Sequence, residues 1–165
     1  STPKPSSAAS DVYKRQQFYA PQATEDGILL GWMGMPAQDD TPTQGWVHTL
    51  TLPRRIWLED NYLHQDPLWS ALPETHGREG FGSTIDIKGE GSFALIDAAG
   101  DEAFRVTQRD GTIAFNGGDS IDCPDGEMRL IADGCAVEVY AGGGRIAASF
   151  AVFGESPWQG WEPRG

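Results

Sequence analysis

The sequence predicts an all-β protein, and three observations support that prediction. From Gly27 onward, apolar and polar residues alternate with period two, and no segment keeps a helical period. Turn-forming residues interrupt this alternation roughly every eight to twelve residues. The 165 residues also include 21 glycines and 11 prolines, which favours short strands joined by tight turns. Together these features are typical of an antiparallel β-sandwich.

The strand candidates of the second half each place apolar residues on one face. Glu138 lies between two valines, so its side chain is predicted to face away from theirs. The run Gly142-Gly143-Gly144 is interpreted as a hairpin turn, because phosphate-binding loops lead into a helix and no helical pattern follows it. The apolar positions are Ile85 and Ile87, Phe93 and Leu95, Phe104 and Val106, Ile113 and Phe115, Met128 and Leu130, Val137 and Val139, and Ile146, Ala148, Phe150 and Val152.

The first half contains two more strand candidates, Ile28 to Met33 and Trp46 to Leu52. A stretch without clear period follows from Leu63 to Arg78, and we expect it to be an irregular connector. Residues 1–16 combine prolines, serines and small residues without apolar periodicity. We therefore interpret them as a disordered or artefactual leader outside the fold.

The charge and composition exclude several classes of protein. The formal net charge is −12 and the acidic residues are scattered, which argues against nucleic-acid binding because that needs a clustered positive surface. No apolar run approaches the roughly 18 residues of a membrane span, and no secretion signal begins the chain, so no membrane partner is predicted. Cys123 and Cys135 match no metal or redox spacing. We favour reduced thiols over a disulfide, in line with a cytoplasmic protein.

No metal or cofactor site is predicted from the residues. His48, His64 and His76 are widely separated and lack the spacing of metal ligands. The chain has 24 acidic residues, but no spacing singles out a catalytic pair. No Gly-x-Ser-x-Gly elbow is present for a serine nucleophile.

Several short motifs resemble one known family when they are taken in order and at their spacing. The set resembles the late part of a glycoside hydrolase family 32 enzyme, a family of invertases and sucrose-6-phosphate hydrolases, the β-fructofuranosidases. The resemblance extends over nearly all of residues 18–153. The motifs are Phe18-Tyr19-Ala20-Pro21-Gln22, Gly31-Trp32-Met33-Gly34, Pro42-Thr43, Gly45-Trp46 and Leu50-Thr51-Leu52-Pro53-Arg54, with Ala136-Val137-Glu138-Val139-Tyr140 and Ser149-Phe150 near the other end.

This resemblance implies a domain organisation and two substrate-binding residues. In the family a five-bladed β-propeller carries the active site, and a C-terminal β-sandwich follows it. Trp32 is implied to form a wall of the fructose pocket, with Tyr19 as a second candidate, whereas the alternative for Trp32 is a core residue between blade and sandwich. The implied partners are sucrose or a related fructoside, an upstream propeller domain and a second copy in a homodimer. The division is a leader at 1–16, a last-blade remnant and exit at 17–58, a connector at 59–80 and the sandwich at 81–165.

The same resemblance implies that no catalytic residue lies in this chain. Retaining glycoside hydrolysis needs a nucleophilic carboxylate and an acid/base carboxylate about 5 Å apart. The family supplies its catalytic carboxylates in Asn-Asp-Pro, Arg-Asp-Pro and Glu-Cys motifs, none of which occurs here. The aspartate that the family has before Phe18 is replaced by Gln17. We therefore expect a C-terminal portion of such an enzyme, inactive by itself.

An alternative hypothesis is a free-standing sandwich module that binds carbohydrate or a protein partner. Such a module would need an exposed aromatic platform, and the local candidates are Trp158 and Trp161. The competing interpretation, which we favour, is that these two side chains pack the C-terminus onto the body of the protein.

Overall fold

The computed structural model describes residues 18–34, 49–68, 82–124, 126–154 and 156–165. The described residues form antiparallel strands, a short 3-10 turn at Gly142–Gly144 and no α-helix, so the predicted all-β class is confirmed. The strands are β1 (Tyr19–Ala23), β2 (Ile28–Met33), β3 (Thr49–Leu50), β4 (Arg54–Glu59), β5 (Tyr62–Pro67), β6 (Gly82–Lys88), β7 (Gly91–Asp97), β8 (Glu102–Arg109), β9 (Thr112–Phe115), β10 (Ile121–Asp122), β11 (Glu127–Asp133), β12 (Ala136–Ala141), β13 (Ile146–Ala151) and β14 (Trp158–Arg164).

These strands form three antiparallel sheets. Sheet 1 has the order β1-β2-β4-β5, with β3 beside β2. Sheet 2 has the order β13-β12-β11-β6, and sheet 3 has the order β10-β9-β8-β7-β14. The chain therefore completes sheet 1 first and then alternates between the other two sheets.

The main apolar core lies between sheets 2 and 3. Met128, Leu130, Val137 and Val139 of sheet 2 belong to one buried cluster with side chains of sheet 3. The aromatic ring of Phe104 in β8 lies 4.9 Å from that of Phe150 in β13, which joins the two sheets directly. The predicted alternation in β11 and β12 is thus confirmed, because one face of each strand fills this core.

Sheet 1 covers the other face of sheet 2. Leu52 packs with Ile131 and Tyr140, and Met33 packs with Cys135 and Ala136. All six residues of β12 are consequently buried. A strand that is buried on both faces carries apolar residues at most positions, and the sequence AVEVYA has this character with Glu138 as its exception.

Two expectations about the first half need correction. The stretch from Leu63 was expected to be irregular, but Tyr62–Pro67 is a strand that forms a hairpin with β4. The turn of this hairpin has left-handed φ angles of 49° at Asp60 and 64° at Asn61, a conformation that Asn and Asp tolerate. The second strand candidate is also shorter than expected, because β3 ends at Leu50. Residues 1–17, 35–48 and 69–81, which include the leader, His48, His76 and most of the connector, lie outside the described residues.

The two C-terminal tryptophans are core residues. β14 pairs with β7 at the edge of sheet 3, and Trp158 and Trp161 are each only 8% exposed. The indole N–H of Trp158 donates to the carbonyl of Gly134 at 2.6 Å, and that of Trp161 donates to the carbonyl of Ser83 at 3.3 Å. The favoured interpretation, packing of the C-terminus onto the body, is confirmed. The exposed aromatic platform that the free-standing module needed is contradicted.

Neither described cysteine forms a disulfide. Cys123 and Cys135 are both buried and free, in agreement with the favoured interpretation. Burial raises the pKa of the Cys135 thiol, which disfavours the reactive thiolate. Within the described ranges, no helix has the length and apolar character needed to cross a membrane.

The turn after β7 gives a testable pH dependence. One carboxylate oxygen of Asp97 accepts hydrogen bonds from the backbone N–H groups of Ala99 at 3.0 Å and Asp101 at 2.9 Å. These bonds, that from Asp101 above all, lower the pKa of Asp97. Because the folded-state pKa is lowered, the ionised carboxylate stabilises the fold above the unfolded value of about 3.9, and this stabilisation disappears as the pH falls through the folded-state pKa.

We therefore expect Asp97→Asn to melt at a lower temperature than the parent at pH 7. The difference should shrink as the pH falls below about 3.9 towards 3, since proton binding at the Asp97 carboxyl then begins to remove this stabilisation. Thermal unfolding followed by circular dichroism at both pH values measures this. Asp119→Asn, at an exposed loop position, is the matched control. A melting difference that stays constant with pH would contradict the assignment.

Candidate functional site

The two predicted substrate-binding residues lie side by side on sheet 1. Tyr19 in β1 is directly opposite Trp32 in β2, and their rings meet edge to face with centroids 6.3 Å apart. Leu50 in β3 is opposite Trp32 on its other side, and residues opposite each other share a face of the sheet. Tyr19 is 51% exposed, Trp32 42% and Leu50 57%. We call these three side chains the Tyr19–Trp32–Leu50 row.

The exposure of this row bears on the role of Trp32. The neighbouring Met33 is fully buried against sheet 2, so alternation along β2 turns Trp32 to the opposite face. Trp32 is therefore not a buried core residue within the described structure. An exposed aromatic row is the type of surface on which an apolar ligand face can pack. Its use for substrate stays a prediction.

The glycine before Trp32 has a structural reason. A Cβ at Gly31 would lie 2.2 Å from the ring of Phe18, so only glycine permits the ring to lie on β2. This places the Phe18 ring 4.7 Å from the guanidinium of Arg54. The motif residues Phe18, Gly31 and Arg54 are thus brought together by one packing arrangement.

A buried ion pair joins sheet 1 to sheet 2. Arg54 in β4 and Glu138 in β12 are each 1% exposed, and Nη2 of Arg54 is 2.6 Å from Oε1 of Glu138. Nη1 of Arg54 donates to Oε1 of Gln65 at 3.0 Å, and Nη2 also donates to the hydroxyl of Ser149. Nε of Arg54 has no hydrogen-bond partner among the described residues. The pair links residues 84 positions apart in the chain.

Both oxygens of the Glu138 carboxylate are engaged. Oε2 accepts the backbone N–H of Leu52 at 2.7 Å, and Oε1 also accepts the hydroxyl of Tyr140 at 2.9 Å. The Tyr140 ring in turn lies 5.3 Å from the guanidinium of Arg54. We call Phe18, Arg54, Gln65, Glu138, Tyr140 and Ser149 the Arg54 network.

The electrostatics of the Arg54 network favour an ionised arginine and a neutral tyrosine. Burial raises the pKa of Tyr140 well above its ordinary value, so its hydroxyl remains a donor at neutral pH. Burial alone lowers the pKa of Arg54, but the Glu138 carboxylate opposes this through its charge and its hydrogen bond, and the pKa is raised. The charge of Glu138 is thus compensated by Arg54, and its oxygens accept hydrogen bonds from groups within the interface.

The Arg54 network explains the orientation and burial of the Glu138 side chain. The prediction that Glu138 faces away from the flanking valines is confirmed. Its side chain is nevertheless buried, because sheet 1 covers the face of β12 that points away from the main core. A carboxylate with both oxygens engaged and no access to solvent cannot attack or protonate a substrate.

The remaining candidate metal ligands do not converge in the described part of the chain. His64 is buried, its Nδ1 lies 2.9 Å from the carbonyl of Gly143, and its ring stacks on Trp57 with centroids 5.3 Å apart. No group of three or more His, Cys, Asp or Glu side chains is arranged to hold a metal ion among the described residues. His64 therefore has a packing role.

Comparison with known proteins identifies related sequences. Residues 4–67 match the family model of the glycosyl hydrolases family 32 N-terminal domain. A probable sucrose-6-phosphate hydrolase of Vibrio cholerae is 29% identical over 171 residues, covering 82% of this chain and 31% of that protein. The sucrose-6-phosphate hydrolase of Bacillus subtilis is 34% identical over 101 residues, covering 56% of this chain and 20% of that protein.

Solved structures show the same fold. A mutant family 32 β-fructofuranosidase of Bombyx mori, in complex with sucrose, superposes with a TM-score of 0.70 and 21% identity over 89% of this chain and 38% of that chain. The sucrose-6-phosphate hydrolase of Lactobacillus gasseri superposes with a TM-score of 0.58 and 19% identity over 85% and 37%. The matched part of this chain thus corresponds to between about a fifth and two fifths of the length of these relatives. The family model and the curated relatives thus show similarity to glycoside hydrolase family 32, and the solved structures show that the fold is shared.

Proposed function

We propose that this chain forms the last-blade and sandwich part of a retaining β-fructofuranosidase that hydrolyses sucrose or sucrose 6-phosphate. The observation that carries the proposal is the alignment of 82% of the chain with only 31% of a probable sucrose-6-phosphate hydrolase. The curated relatives are sucrose-6-phosphate hydrolases, which supports this substrate class. In this proposal the rest of the enzyme lies in an upstream propeller domain.

Within this proposal, sheet 1 is the blade remnant with its exit hairpin, and sheets 2 and 3 are the sandwich. The matched family model is that of the N-terminal domain, and its match ends at residue 67. β5, the last strand of sheet 1, also ends at Pro67. We therefore place the boundary after Pro67 rather than after Leu58, because β5 belongs to the hairpin of sheet 1.

The proposed substrate contact is the Tyr19–Trp32–Leu50 row. Its exposed aromatic side chains support a role in packing against the apolar face of a fructose ring. Hydrolysis with retention uses two carboxylates and water, so the proposal includes no cofactor and no metal. A cytoplasmic location and a homodimer remain parts of the proposal.

The catalytic carboxylates are proposed to lie outside this chain. The absence of the three family motifs from the sequence supports this. The engagement of Glu138 in the Arg54 network also supports it, because it removes a buried carboxylate from consideration. No observation favours the free-standing module, since Trp158 and Trp161 are buried.

A turnover assay of the purified chain tests the proposal. We expect no release of fructose from sucrose or sucrose 6-phosphate above the buffer blank, because the proposal puts the catalytic pair in the upstream domain. An authentic invertase in the same buffer is the positive control, and circular dichroism verifies that the chain is folded. Turnover that scales with the concentration of the chain and remains after further purification would show that a catalytic pair is present after all.

A further inference from the structure

A cleft lies at the junction of sheets 1 and 2, apart from the Tyr19–Trp32–Leu50 row. It has a volume of about 440 Å³, which is within the roughly 300–1,000 Å³ typical of small-ligand sites. One wall is the β4–β5 hairpin, and the other is formed by β6, β11 and the turn at Gly142–Gly144. None of its lining residues belongs to the row.

The wall at Gly144 depends on a close approach of two backbones. Gly144 has a φ of 92°, and a Cβ there would lie 2.9 Å from the carbonyl oxygen of Gln65 and 3.2 Å from the Trp57 ring. Trp57 is half-buried and stacks on His64, whose Nδ1 is held by the carbonyl of Gly143. The position of Trp57 in the cleft is therefore fixed by neighbours on both the hairpin and the turn.

Charged groups of both signs line the same cleft as Trp57. Nε of Arg129 lies 2.6 Å from Oδ1 of Asp86, and Nη1 lies 3.3 Å from Oδ1 of Asp66. The side chains of Asp66 and Asp86 are 45% and 55% exposed, so their oxygens remain open to solvent. A carboxylate accepts hydrogen bonds and a guanidinium donates them, which suits the neighbouring hydroxyls of a sugar ring.

We propose that this cleft binds a neutral mono- or disaccharide, with Trp57 against the ring and the Asp66–Arg129–Asp86 cluster on its hydroxyls. The charged lining residues are three carboxylates and two cations, with Glu127 and Lys88 completing the set. This excess of negative charge disfavours a phosphorylated sugar. The inference does not depend on hydrolysis, since an inactive chain still has the cleft.

Calorimetric titration of the intact chain with sucrose, and in parallel with sucrose 6-phosphate, tests the inference. We expect saturable sucrose binding with a Kd on the order of 1 mM. Sucrose 6-phosphate should bind at least about threefold more weakly at low salt, because its phosphate meets the net negative lining. Absence of saturable sucrose binding, or tighter binding of the phosphate, would overturn the proposal.

Two variants with matched controls locate the binding. Trp57→Ala should weaken sucrose binding about tenfold or more, whereas Leu58→Ala, the next residue of β4 with 77% exposure, should leave it unchanged. Asp86→Asn, at a side chain that is 55% exposed, should weaken binding severalfold, whereas Asp122→Asn, at an exposed residue outside the cleft, should not. Sucrose binding that survives both cleft variants, or that is lost instead in Trp32→Ala, would contradict this site. Turnover by the chain would bear on the proposed function alone.

Discussion

Replacing Arg54 with alanine is expected to lower the free energy of unfolding by about 3–5 kcal/mol. The substitution leaves the carboxylate of Glu138 buried at the interface of sheets 1 and 2 without its cation. Among the described residues, the hydroxyl of Tyr140 and the backbone N–H of Leu52 would remain as hydrogen-bond donors to that charge. Chemical denaturation of the variant and the parent at pH 7 measures the difference.

Arg55→Ala is the matched control for this prediction. Arg55 is the next residue of β4 and is exposed, so its removal should change stability by no more than about 0.5 kcal/mol. The double variant Arg54→Met with Glu138→Leu should recover part of the loss, because it removes both buried charges together. A loss below about 1 kcal/mol for Arg54→Ala would mean that the ion pair does not hold sheet 1 on sheet 2.

Replacing Trp161 with alanine should cost about 3–5 kcal/mol as well, for a different reason. Its ring meets Phe104 edge to face at 6.5 Å within the core between sheets 2 and 3. Alanine would leave a cavity there and would also remove the donor to the Ser83 carbonyl. Denaturant midpoints followed by circular dichroism report this loss.

The contrast with Trp32 separates a core tryptophan from a surface tryptophan. Trp32→Ala, at a side chain that is 42% exposed, should lower stability by only about 1 kcal/mol. If Trp161→Ala were as mild as Trp32→Ala, the C-terminal strand would not be part of the core. The free-standing module, with Trp161 on an exposed platform, would then regain support.

The sequence is sufficient to predict the all-β class because local alternation carries that information. Packing of both tryptophans of β14 onto the body was the favoured interpretation, but strand alternation alone does not explain how both rings reach the core. Trp158 and Trp161 are an odd number of positions apart, so regular alternation would place them on opposite faces. The structure has a register shift between Trp158 and Gly160, where Gly160 has a φ of 142°. This bulge turns both rings to the same side.

The strand β5 and the Arg54 network were missed for related reasons. The sequence of β5 shows no apolar alternation, because residues such as His64 and Gln65 are polar. Their hydrogen-bond partners are Gly143 and Arg54, which strand alternation does not reveal. The one local signal for the network was an isolated glutamate between valines in a buried strand. A buried carboxylate needs a cation beside it. Arg54 of the motif Leu52-Pro53-Arg54 is that cation, and it lies 84 positions away in the sequence.

The central claim is that this chain forms part of a larger β-fructofuranosidase whose catalytic carboxylates lie upstream. A long sequencing read through the genomic locus, across the codon for Gln17, tests it most directly. The account predicts an aspartate codon at that position, with Asn-Asp-Pro, Arg-Asp-Pro and Glu-Cys encoded upstream in the same frame. A frame that begins with residues 1–16 as given, with none of those motifs before it, would contradict the account.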